Sequence, residues 1–466
     1  MFDPTRYASR ALTIAAELVA DDESVDRLRS VLQVIHDDLT GNNTSKQKQR
    51  PVVREGQAVR NDIFLPGLLA DDTHFMRFVI VDDKLGPADN QLPLVLVWES
   101  NHDGDPDDYL RNVLARASQP DAVLDFDRVF GACIGYPAMA SGDAWVEWML
   151  EHSLRAEAFY SGYRGVPKTK VKAAGRVHEV IRTYLDEHRL SLTTRTPIEV
   201  HDEIRRHLES TPAGLEPGDL EPAVERGLGF TLRKWATLVL IGAAVLLLAL
   251  PLLPLTLAWY AVLRRREASD KPDTSNRAVH GMPDLIAVED RIVQNQLTHL
   301  VDIKPGYFRY FTQRVVLLAI DQLARIWFVH GELGGISSIH FARWVILHDR
   351  RDVESKRRRH RLIFFSNYDF SWDSYLGEFV DRAAGGLTAV WSNTVGYPRT
   401  KNLIHDGADD EETFKQWARD RQIASQVWWS GVRYSSVDNI NNDIAVHRGA
   451  VRALEPEDLP RWLVRL

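Results

Sequence analysis

Two stretches of this sequence decide the fold: HFMRFVIVDD at residues 74–83 and HFARWVILHD at residues 340–349. Six of their ten positions are identical, at a constant spacing of 266 residues (340 minus 74). Further matches follow in the same order with short shifts of the spacing: Ser100-Asn101 with Ser366-Asn367, Tyr109 with Tyr375, Gly135-Tyr136-Pro137 with Gly396-Tyr397-Pro398, Trp148 with Trp417, and Val177-His178 with Val446-His447. This ordered series predicts an internal duplication.

Each copy contains alternating strand and helix patterns. In the second copy the predicted elements are strands at 341–347 and 362–365, a helix at 372–384, strands at 387–395 and 402–404, a helix at 411–421 and a strand at 424–429. The resulting core order β-α-β-β-α-β is that of the ferredoxin-like unit. We therefore predict an α+β protein with two tandem ferredoxin-like repeats of the dimeric α+β barrel type, which pack sheet against sheet or close a barrel.

An apolar block separates the two copies. No charged residue occurs from Trp235 to Leu263, and the block is flanked by Arg233-Lys234 and by Arg264-Arg265-Arg266. A helix that spans a bilayer needs about 20 apolar residues, so the block predicts a membrane segment. The other positions assigned to it are Pro251, Pro254 and Trp259.

The sequence leaves open whether this segment spans the bilayer once or forms a hairpin. Pro251 and Pro254 would kink a single spanning helix or turn it into a hairpin. A hairpin keeps both repeats on one side of the membrane, where they can pair. We expect that side to be cytoplasmic, with the lipid bilayer and anionic head groups as partners. A homo-oligomer across a single span is the competing arrangement.

Composition excludes several classes of protein. The formal net charge is −8, so nucleic acid is not an expected partner. A single cysteine, Cys133, excludes an internal disulfide framework and a thiolate zinc cluster. The HExxH, Walker, GxSxG and GxGxxG motifs are absent. We predict no metal site from motifs, and the reaction, if there is one, stays open.

The sequence divides into seven segments. Met1 to Asp22 is predicted to form an amphipathic helix, and Val25 to Leu39 a second one. The segments are N-terminal helices (1–60), the first repeat (72–190), a polar helical connector (191–232), the membrane segment (233–266), a linker with amphipathic helices (267–338), the second repeat (339–455) and a C-terminal tail (456–466).

Two features lie near the second repeat. The run 293–305 is read as a helix on which Asn295 and His299 share one face, and 307–330 as an amphipathic helix at the bilayer surface or over a sheet. Basic residues between 350 and 361 are expected to contact anionic lipid or to form a solvated loop.

The candidate site residues are polar positions in or beside the second repeat, which is the more polar copy. They are Asn295, His299, His340, Arg343, Asn367, Asp369, Asn393, Tyr397, Arg433, Asn441 and His447. Local helix capping is the preferred explanation for Ser366 to Asp369, and Arg433 suits an anion or an acidic side chain. A repeated histidine such as His447 suits an axial haem ligand, an acid–base group or packing of the repeat.

The run from Val293 through HFARWVIL, LIFFSNYDFSW and LTAVWSNTVGYPRT resembles an uncharacterised bacterial membrane-protein family without an established activity. The tandem arrangement is similar at the level of the fold to dye-decolourising peroxidases, which implies haem as a cofactor. Their GxxDG motif is absent here. The expected function is therefore the binding of an apolar or amphipathic small molecule at the second repeat; the alternatives are a haem-dependent peroxidase-like oxidoreductase and a scaffold of a membrane complex.

Overall fold

The structure is a computed structural model. It describes residues 9–40, 52–54, 57–59, 72–82, 92–117, 125–192, 194–210, 212–221, 228–272, 286, 289–326, 332–348 and 359–466. Within them the fold is α+β, with two four-stranded antiparallel sheets and twelve α-helices.

The strands form three sheets. Their bounds are β1 (Ser9–Glu17), β2 (Val52–Arg54), β3 (Gln57–Val59), β4 (Thr73–Val81), β5 (Val95–Asp103), β6 (Ala156–Ser161), β7 (Gln294–Asp302), β8 (Ile339–His348), β9 (His360–Asp369) and β10 (Val427–Ser430). The first large sheet has the order β1-β5-β4-β10 and the second β6-β8-β9-β7, while β2 and β3 pair separately.

The helices lie mainly between or after the strands of each sheet. They are α1 (Asp22–Thr40), α2 (Pro106–Ala117), α3 (Asp125–Phe130), α4 (Asp143–Glu151), α5 (Lys168–Leu192), α6 (Pro197–Glu209), α7 (Leu228–Ser269), α8 (Tyr307–Ile326), α9 (Trp372–Trp391), α10 (Glu411–Arg419), α11 (Val437–Ala450) and α12 (Leu459–Leu463). A short 3₁₀ turn covers Met139–Ser141.

The two sheets exchange their last strands. β6 follows the first copy along the chain but pairs with β8 of the second, and β10 follows the second copy but pairs with β4 of the first. Just before each exchange the chain is bonded to its own sheet: Leu154 N donates to Thr13 O at 2.8 Å, and Ile423 N donates to Thr298 O at 2.9 Å. The two four-stranded sheets are therefore linked at both edges by bonds from the segments that lead into the exchanged strands. We call the two linked sheets the ring.

Each large sheet is buried on both faces. Along β4, for example, Met76 and Phe78 pack against the helices while Phe75 and Val79 lie inside the ring. Alternate residues of a strand point to opposite faces, so a strand covered on both sides has no exposed positions. Helices α1 to α4 cover the first sheet, and α8 to α10 cover the second. We refer to the first sheet with α1 to α4 as the first unit, and to the second with α8 to α10 as the second unit.

Four predicted elements differ from the observed ones. Residues 9–17 are the edge strand β1 and not a helix, and 294–302 is the strand β7. The helix predicted at 372–384 continues as α9 to Trp391, through residues read as a strand. In these three, apolar residues at short spacing were compatible with either structure, and pairing with a neighbouring strand or packing on the sheet decided it. The strand predicted at 402–404 is a turn, closed by the isolated bridge between Lys401 and His405.

Two series of elements follow the order strand, helix, two strands, helices and strand: one from β1 to β6, with the short β2 and β3 inserted, and one from β7 to β10. The first strand of each series lies outside the predicted bounds of its repeat, 72–190 or 339–455. The second helix of Val25 to Leu39 is observed as α1, with Val25, Leu28 and Leu32 buried against the first sheet. The break expected at residues 41–43 lies outside the described residues.

The apolar block lies in helix α7, which continues through Pro251 and Pro254 without a turn, so the hairpin prediction is wrong. In the described part of the chain, no helix has both the length and the apolar character that crossing a membrane requires. The membrane and transmembrane predictions are corrected accordingly. The C-terminal turns of α7 contact the second unit: Leu263 is 1% exposed, and Trp259 Nε1 donates to Thr312 Oγ1 at 3.1 Å.

The other residues assigned to the membrane segment have mixed environments. Trp235 is 62% exposed, and Pro251 and Pro254 are exposed. Arg264 donates to the buried Glu267 at 2.6 Å, and Arg266 lies over the Phe308 ring. Arg265 is exposed, while Arg233 and Lys234 have side chains outside the described set.

Candidate functional site

Three buried charged side chains meet inside the ring. Arg77 Nε donates to Glu99 Oε2 at 2.9 Å, and Arg343 Nη2 lies 2.9 Å from Glu99 Oε1. All three side chains are about 1% exposed or less. We call this group the interior triad. Arg77 and Arg343 are matched positions of the repeat, whereas Phe365 stands opposite Arg343 where Glu99 stands opposite Arg77.

Each arginine of the interior triad reaches into the opposite sheet. The further acceptors of Arg77 are Leu297 O, Thr298 Oγ1, Ser366 O and Asn367 Oδ1, at 2.6 to 3.0 Å. Those of Arg343 are Leu12 O, Thr13 Oγ1, Ser100 O and Asn101 Oδ1. All five N–H groups of Arg77 therefore donate to protein acceptors. Arg343 and Asn367, which were predicted to bind a ligand, form hydrogen bonds between the two sheets.

Burial acts strongly on these guanidinium groups. The pKa of Arg343 is lowered to about 10, chiefly by desolvation; the negative charge of Glu99 raises this pKa, and the positive charge of Arg77 lowers it. Arginine stays charged at neutral pH even so. The triad holds two positive charges and one negative charge, and neutral acceptors from both sheets complete its hydrogen bonding.

Two matched His–Asp pairs lie at one end of the ring. His74 Nε2 bonds Asp103 Oδ1 at 2.9 Å, and His340 Nε2 bonds Asp369 Oδ1 at 2.8 Å. The second oxygen of each carboxylate accepts a backbone N–H at the start of a helix, from Lys168 for α5 and from Val437 for α11. The predicted ligand residues His340 and Asp369 therefore brace strand ends against a helix start, as their counterparts do in the first copy.

His299 occupies a different environment, between the second sheet and its helices. It lies in β7 opposite Phe364 and is 2% exposed. Its ring centroid is 4.7 Å from that of Trp391 and 4.8 Å from that of Trp417. Neither ring nitrogen of His299 has a hydrogen-bond partner among the residues that the structure describes.

The imidazole of His299 is neutral at pH 7. Desolvation, with a smaller contribution from the positive charge of Arg421, lowers its pKa to about 3. A neutral imidazole has one N–H donor and one lone-pair acceptor. Both are buried here without a protein partner.

The first unit has an apolar residue at the equivalent place. One row across its sheet is Ile14, Trp98 and Phe78, and the matching row of the second is His299, Phe364 and Trp344. The repeat thus places an isoleucine in one copy where the other has a histidine. Repeat packing alone therefore does not account for His299.

Other buried polar atoms without partners lie in the same layer of the second unit. They are Tyr160 Oη, Gln313 Oε1 and Nε2, Trp344 Nε1, Tyr368 Oη, Trp372 Nε1 and Trp417 Nε1. Leaving a buried donor or acceptor unsatisfied costs about 1–3 kcal/mol. The first unit also contains such groups, namely Trp98 Nε1 and both nitrogens of His102.

His102 has an explanation in the repeat. Its ring stacks on Tyr109 at 4.1 Å, and its counterpart Tyr368 stacks on Tyr375 at 3.9 Å. His102 and Tyr368 are thus both aromatic rings that stack on a tyrosine in the first turn of a helix, Tyr109 or Tyr375. His299 has no such counterpart.

The remaining predicted ligand residues do not converge on His299. Asn295 and His299 share a face of β7, but four strand residues separate them by about 13 Å. Asn295 instead bonds Asp290 and Phe370 O. Arg433 donates to Leu39 O at 3.3 Å and lies over the Tyr434 ring.

Three further candidates belong to the helices. Asn393 accepts from Arg309 at 3.3 Å, and Asn441 lies half-buried on α11. Tyr397 is fully buried, and its ring centroid lies 4.8 Å from that of Trp417. Trp417 also contacts His299, so Tyr397 and His299 share this neighbour. Of the predicted ligand residues, Tyr397 is the one that the structure brings near His299.

His447 does not fit a haem ligand. It is 3% exposed in the contact between α5 and α11, and its Nε2 lies 2.7 Å from Asp219 O. Its counterpart His178 bonds Asp443 through Nδ1 at 2.6 Å. Within the described residues there is no cluster of three or more side chains suited to hold a metal ion.

A surface cleft of about 450 Å³ lies between the start of α9 and the outer side of α10. Its lining residues are Trp372, Asp373, Glu411, Glu412, Lys415, Gln416 and Arg419. Lys415 pairs with Asp373 and Glu411, and Arg419 pairs with Glu289 and stacks 3.8 Å over Trp372. Its cations are therefore compensated.

Sequence reasoning missed the first-copy half of the interior triad. Arg77 lies within the apolar run FMRFVIV of β4, and Glu99 directly follows the apolar run VLVW of β5. A charged residue within or directly after an apolar strand run is the signal that could have found them. The basic positions 350, 351 and 356–358 lie outside the described residues, whereas Arg359 bonds Asp302 and Arg361 is buried.

The predicted amphipathic helix after β7 is observed as α8. It packs against β6, as the alternative of a helix over a sheet required, and it buries Arg309, Thr312 and Gln313. Its exposed positions include Tyr307 and Phe311.

Comparison with known proteins adds no relative to this picture. No protein-family model matches the chain, and no curated protein or solved structure is significantly similar to it.

Proposed function

We propose that the chain consists of two tandem ferredoxin-like units of the dimeric α+β barrel type, and that the second unit binds an amphipathic small molecule between its sheet and its helices. The order β-α-β-β-α-β in both series of elements and the linkage of the two sheets at both edges support the fold. The unpartnered imidazole of His299 supports the site.

The argument for a ligand rests on free energy. An isoleucine at this position, as in the first unit, leaves no polar group to satisfy. The second unit instead keeps an imidazole in an aromatic environment, at a cost of about 1–3 kcal/mol for each unsatisfied group. A bound molecule that hydrogen-bonds His299 and stacks on the neighbouring rings offsets that cost.

The interior of the ring does not suit the same role. The hydrogen-bonding groups of Arg77 are used by protein acceptors, and Val79, Val97 and Phe365 fill the space beside them. His447, the histidine predicted as a haem ligand, is buried and bonded to Asp219 O through Nε2. The peroxidase alternative therefore gains no support from this residue. The scaffold alternative and the cytoplasmic placement stay predictions.

Native mass spectrometry of the full chain tests the proposal. The wild-type protein, as purified or after incubation with an organic extract of the expression host, should carry an additional mass of a few hundred daltons. His299→Ile, which installs the residue of the first unit, should lose it. His102→Tyr is the matched control, because it replaces the other unpartnered histidine by the residue at its own counterpart.

Two outcomes contradict the proposal. One is a wild-type protein without an additional mass under either condition. The other is equal retention of the additional mass by His299→Ile and His102→Tyr, since the binding site would then lie elsewhere.

A further inference from the structure

We infer that two copies of this chain associate through the exposed apolar surface of α7 and α8, which we call the helix surface. This contact is separate from the ligand proposed for the second unit and does not depend on it. Four features of the two helices support it: where the exposed apolar side chains lie, how α7 is fixed, which chemical groups the surface offers, and how large it is.

Exposed apolar side chains are concentrated on these two helices. Of the 25 large hydrophobic side chains that are exposed in the described part of the chain, ten lie on α7 and five on α8. Single exposed apolar residues are normal on a protein, whereas a large continuous group of them marks an interaction surface. The remaining ten are distributed over the rest of the described residues.

The exposed side chains of α8 form a stripe beside α7. Four of them recur at steps of three or four residues and so lie along one side of the helix: Tyr307, Phe311, Val315 and Leu318. The neighbouring side of α8 contacts α7, since Trp259 stacks on Phe308 at 6.2 Å and donates to Thr312 Oγ1 at 3.1 Å. The stripe of α8 and the exposed turns of α7 are therefore continuous.

The C-terminal end of α7 is fixed on the second unit by buried carboxylates. Glu267 is buried, and its carboxylate accepts a hydrogen bond from Leu403 N at 2.7 Å. Asp270, directly after the helix, pairs with Lys304 and Arg309 at 2.7 Å each. These bonds hold α7 in one direction, so that its preceding turns are presented at a defined place beside α8.

Those preceding turns are exposed on every side. All residues from 251 to 258 are exposed, and so is each described side chain from Leu232 to Leu240. The helix has no polar side here, because no charged residue occurs from Trp235 to Leu263. A helix that is apolar all round is buried in a folded protein, so this part of α7 requires a partner.

The chemistry of the helix surface selects an apolar partner. A partner with charged side chains opposite the uncharged run from Trp235 to Leu263 would desolvate them without compensation. A second copy offers the same apolar surface in return. Two-fold pairing needs one patch only, because each copy contacts the other through the same residues. Two copies of α7 and two of α8 would then pack together as four helices.

The area of the helix surface suits a stable dimer. Its four aromatic side chains expose about 400–600 Å² in total, since a Phe, Tyr or Trp side chain offers about 150–250 Å² when fully exposed. Its eleven Leu and Val side chains are about half exposed on average and add at least as much. The sum exceeds the share of one partner in a standard protein–protein interface, about 800 Å², and the largest apolar patch of a typical monomer, about 300–600 Å².

Sedimentation equilibrium of the full chain, over a range of concentrations, tests the inference. The wild type should show a monomer–dimer equilibrium, with a dimer of twice 53.0 kDa. The double variant Leu255→Glu/Phe311→Glu should weaken the association at least 100-fold, because each new charge is desolvated in both copies. Ile198→Glu is the matched control, since it places the same charge at an exposed apolar position of α6, and it should stay within twofold of the wild type.

Two further measurements separate lost association from lost folding. Leu255→Gln/Phe311→Gln removes apolar surface without adding charge and should weaken the association about tenfold. Urea denaturation should give the same midpoint for the monomers of both double variants and of Ile198→Glu, because all the changed side chains are exposed.

The contrary results are equally specific. Association that is as strong in Leu255→Glu/Phe311→Glu as in Ile198→Glu would place the contact elsewhere and overturn the inference. A monomeric wild type would also overturn it. If that monomer floats with vesicles of phosphatidylcholine and phosphatidylglycerol, and the double variant does not, lipid and not a second copy covers the surface. Association that continues beyond the dimer would exclude a closed two-fold contact and likewise overturn the inference.

Discussion

Replacing Glu99 by glutamine tests whether the interior triad holds the two units together. Glu99 is the shared carboxylate of two buried guanidinium groups, at 2.9 Å from Arg77 and 2.9 Å from Arg343. Glutamine has nearly the same shape but no charge, so two cations would remain inside the ring without an anion.

The expected loss is large because both partners stay buried. Breaking a buried ion pair by removal of one partner costs about 3–5 kcal/mol in free energy of unfolding, since the remaining charge is left uncompensated. The eight neutral acceptors around the two arginines reduce this cost but carry no negative charge. We therefore expect Glu99→Gln to lose about 3–5 kcal/mol.

Urea denaturation at pH 7, followed by tryptophan fluorescence and by far-ultraviolet circular dichroism, measures the loss. Glu23→Gln is the matched control, because its partner Arg27 and Glu23 itself are both exposed, and exposed pairs contribute little. The two signals should change at the same urea concentration, because each sheet contains a strand from the other copy.

Two results would refute this reasoning. A loss below about 1 kcal/mol in Glu99→Gln would mean that the neutral acceptors alone hold the guanidinium groups. Separate transitions in the wild type would mean that the exchanged strands do not couple the two units.

Three further predictions concern His299 and the glycines. Without ligand, His299→Ile should raise the free energy of unfolding at pH 7 by about 1–3 kcal/mol, because it removes unsatisfied buried groups; a destabilised variant in urea denaturation would contradict this. The folded-state pKa of His299, about 3, lies below the usual 6.5, so the unfolded state binds more protons between these values and stability falls as pH falls. Between pH 7 and pH 4.5 the wild type should lose about 2.5 kcal/mol more than His299→Ile, measured by urea denaturation at both pH values; equal losses would exclude a buried neutral imidazole. Gly431→Ala should lower the melting temperature, because its Cβ would lie 2.6 Å from Thr73 O, whereas Gly386→Ala inside α9, with no atom within 4 Å of its Cβ, should leave it unchanged or raise it.

The duplication made part of this fold predictable. Matched residues make matched contacts: Tyr109 bonds Ser100 at 3.0 Å, and Tyr375 bonds Ser366 at 2.6 Å. Such identities survive in a sequence because the same packing is needed twice. The central strands β8 and β9 were located correctly for this reason.

The edge strands were not predictable in the same way. β1 and β7 carry matched residues at few positions, and their apolar spacing suits a helix as well as a strand. Their identity depends on pairing with β5 and β9, which is a tertiary contact. Likewise, no local sequence pattern indicates that β6 and β10 pair with strands of the other copy.

The contacts of the candidate site residues were not predictable from the sequence. Polar residues of the second copy were expected to matter, but most of them are joined to protein groups, as Asn367 is to Arg77 and His340 is to Asp369. The sequence alone does not distinguish a polar group with a hydrogen-bond partner from one without. His299 was predicted as a ligand residue because it would share a helical face with Asn295, but it lies in the strand β7.

The two copies differ at two matched positions, which lets one fold combine a structural role with the proposed binding role. The interior triad needs one carboxylate, and it stands in the first copy as Glu99, opposite the apolar Phe365 of the second. The unsatisfied histidine stands in the second copy as His299, opposite the apolar Ile14 of the first. Because the exchanged strands tie both sheets into one ring, stability supplied by the triad is shared by the unit that carries the destabilising imidazole. A duplicated, interlocked fold can therefore retain a costly polar group in one unit that a single small domain would be less able to tolerate.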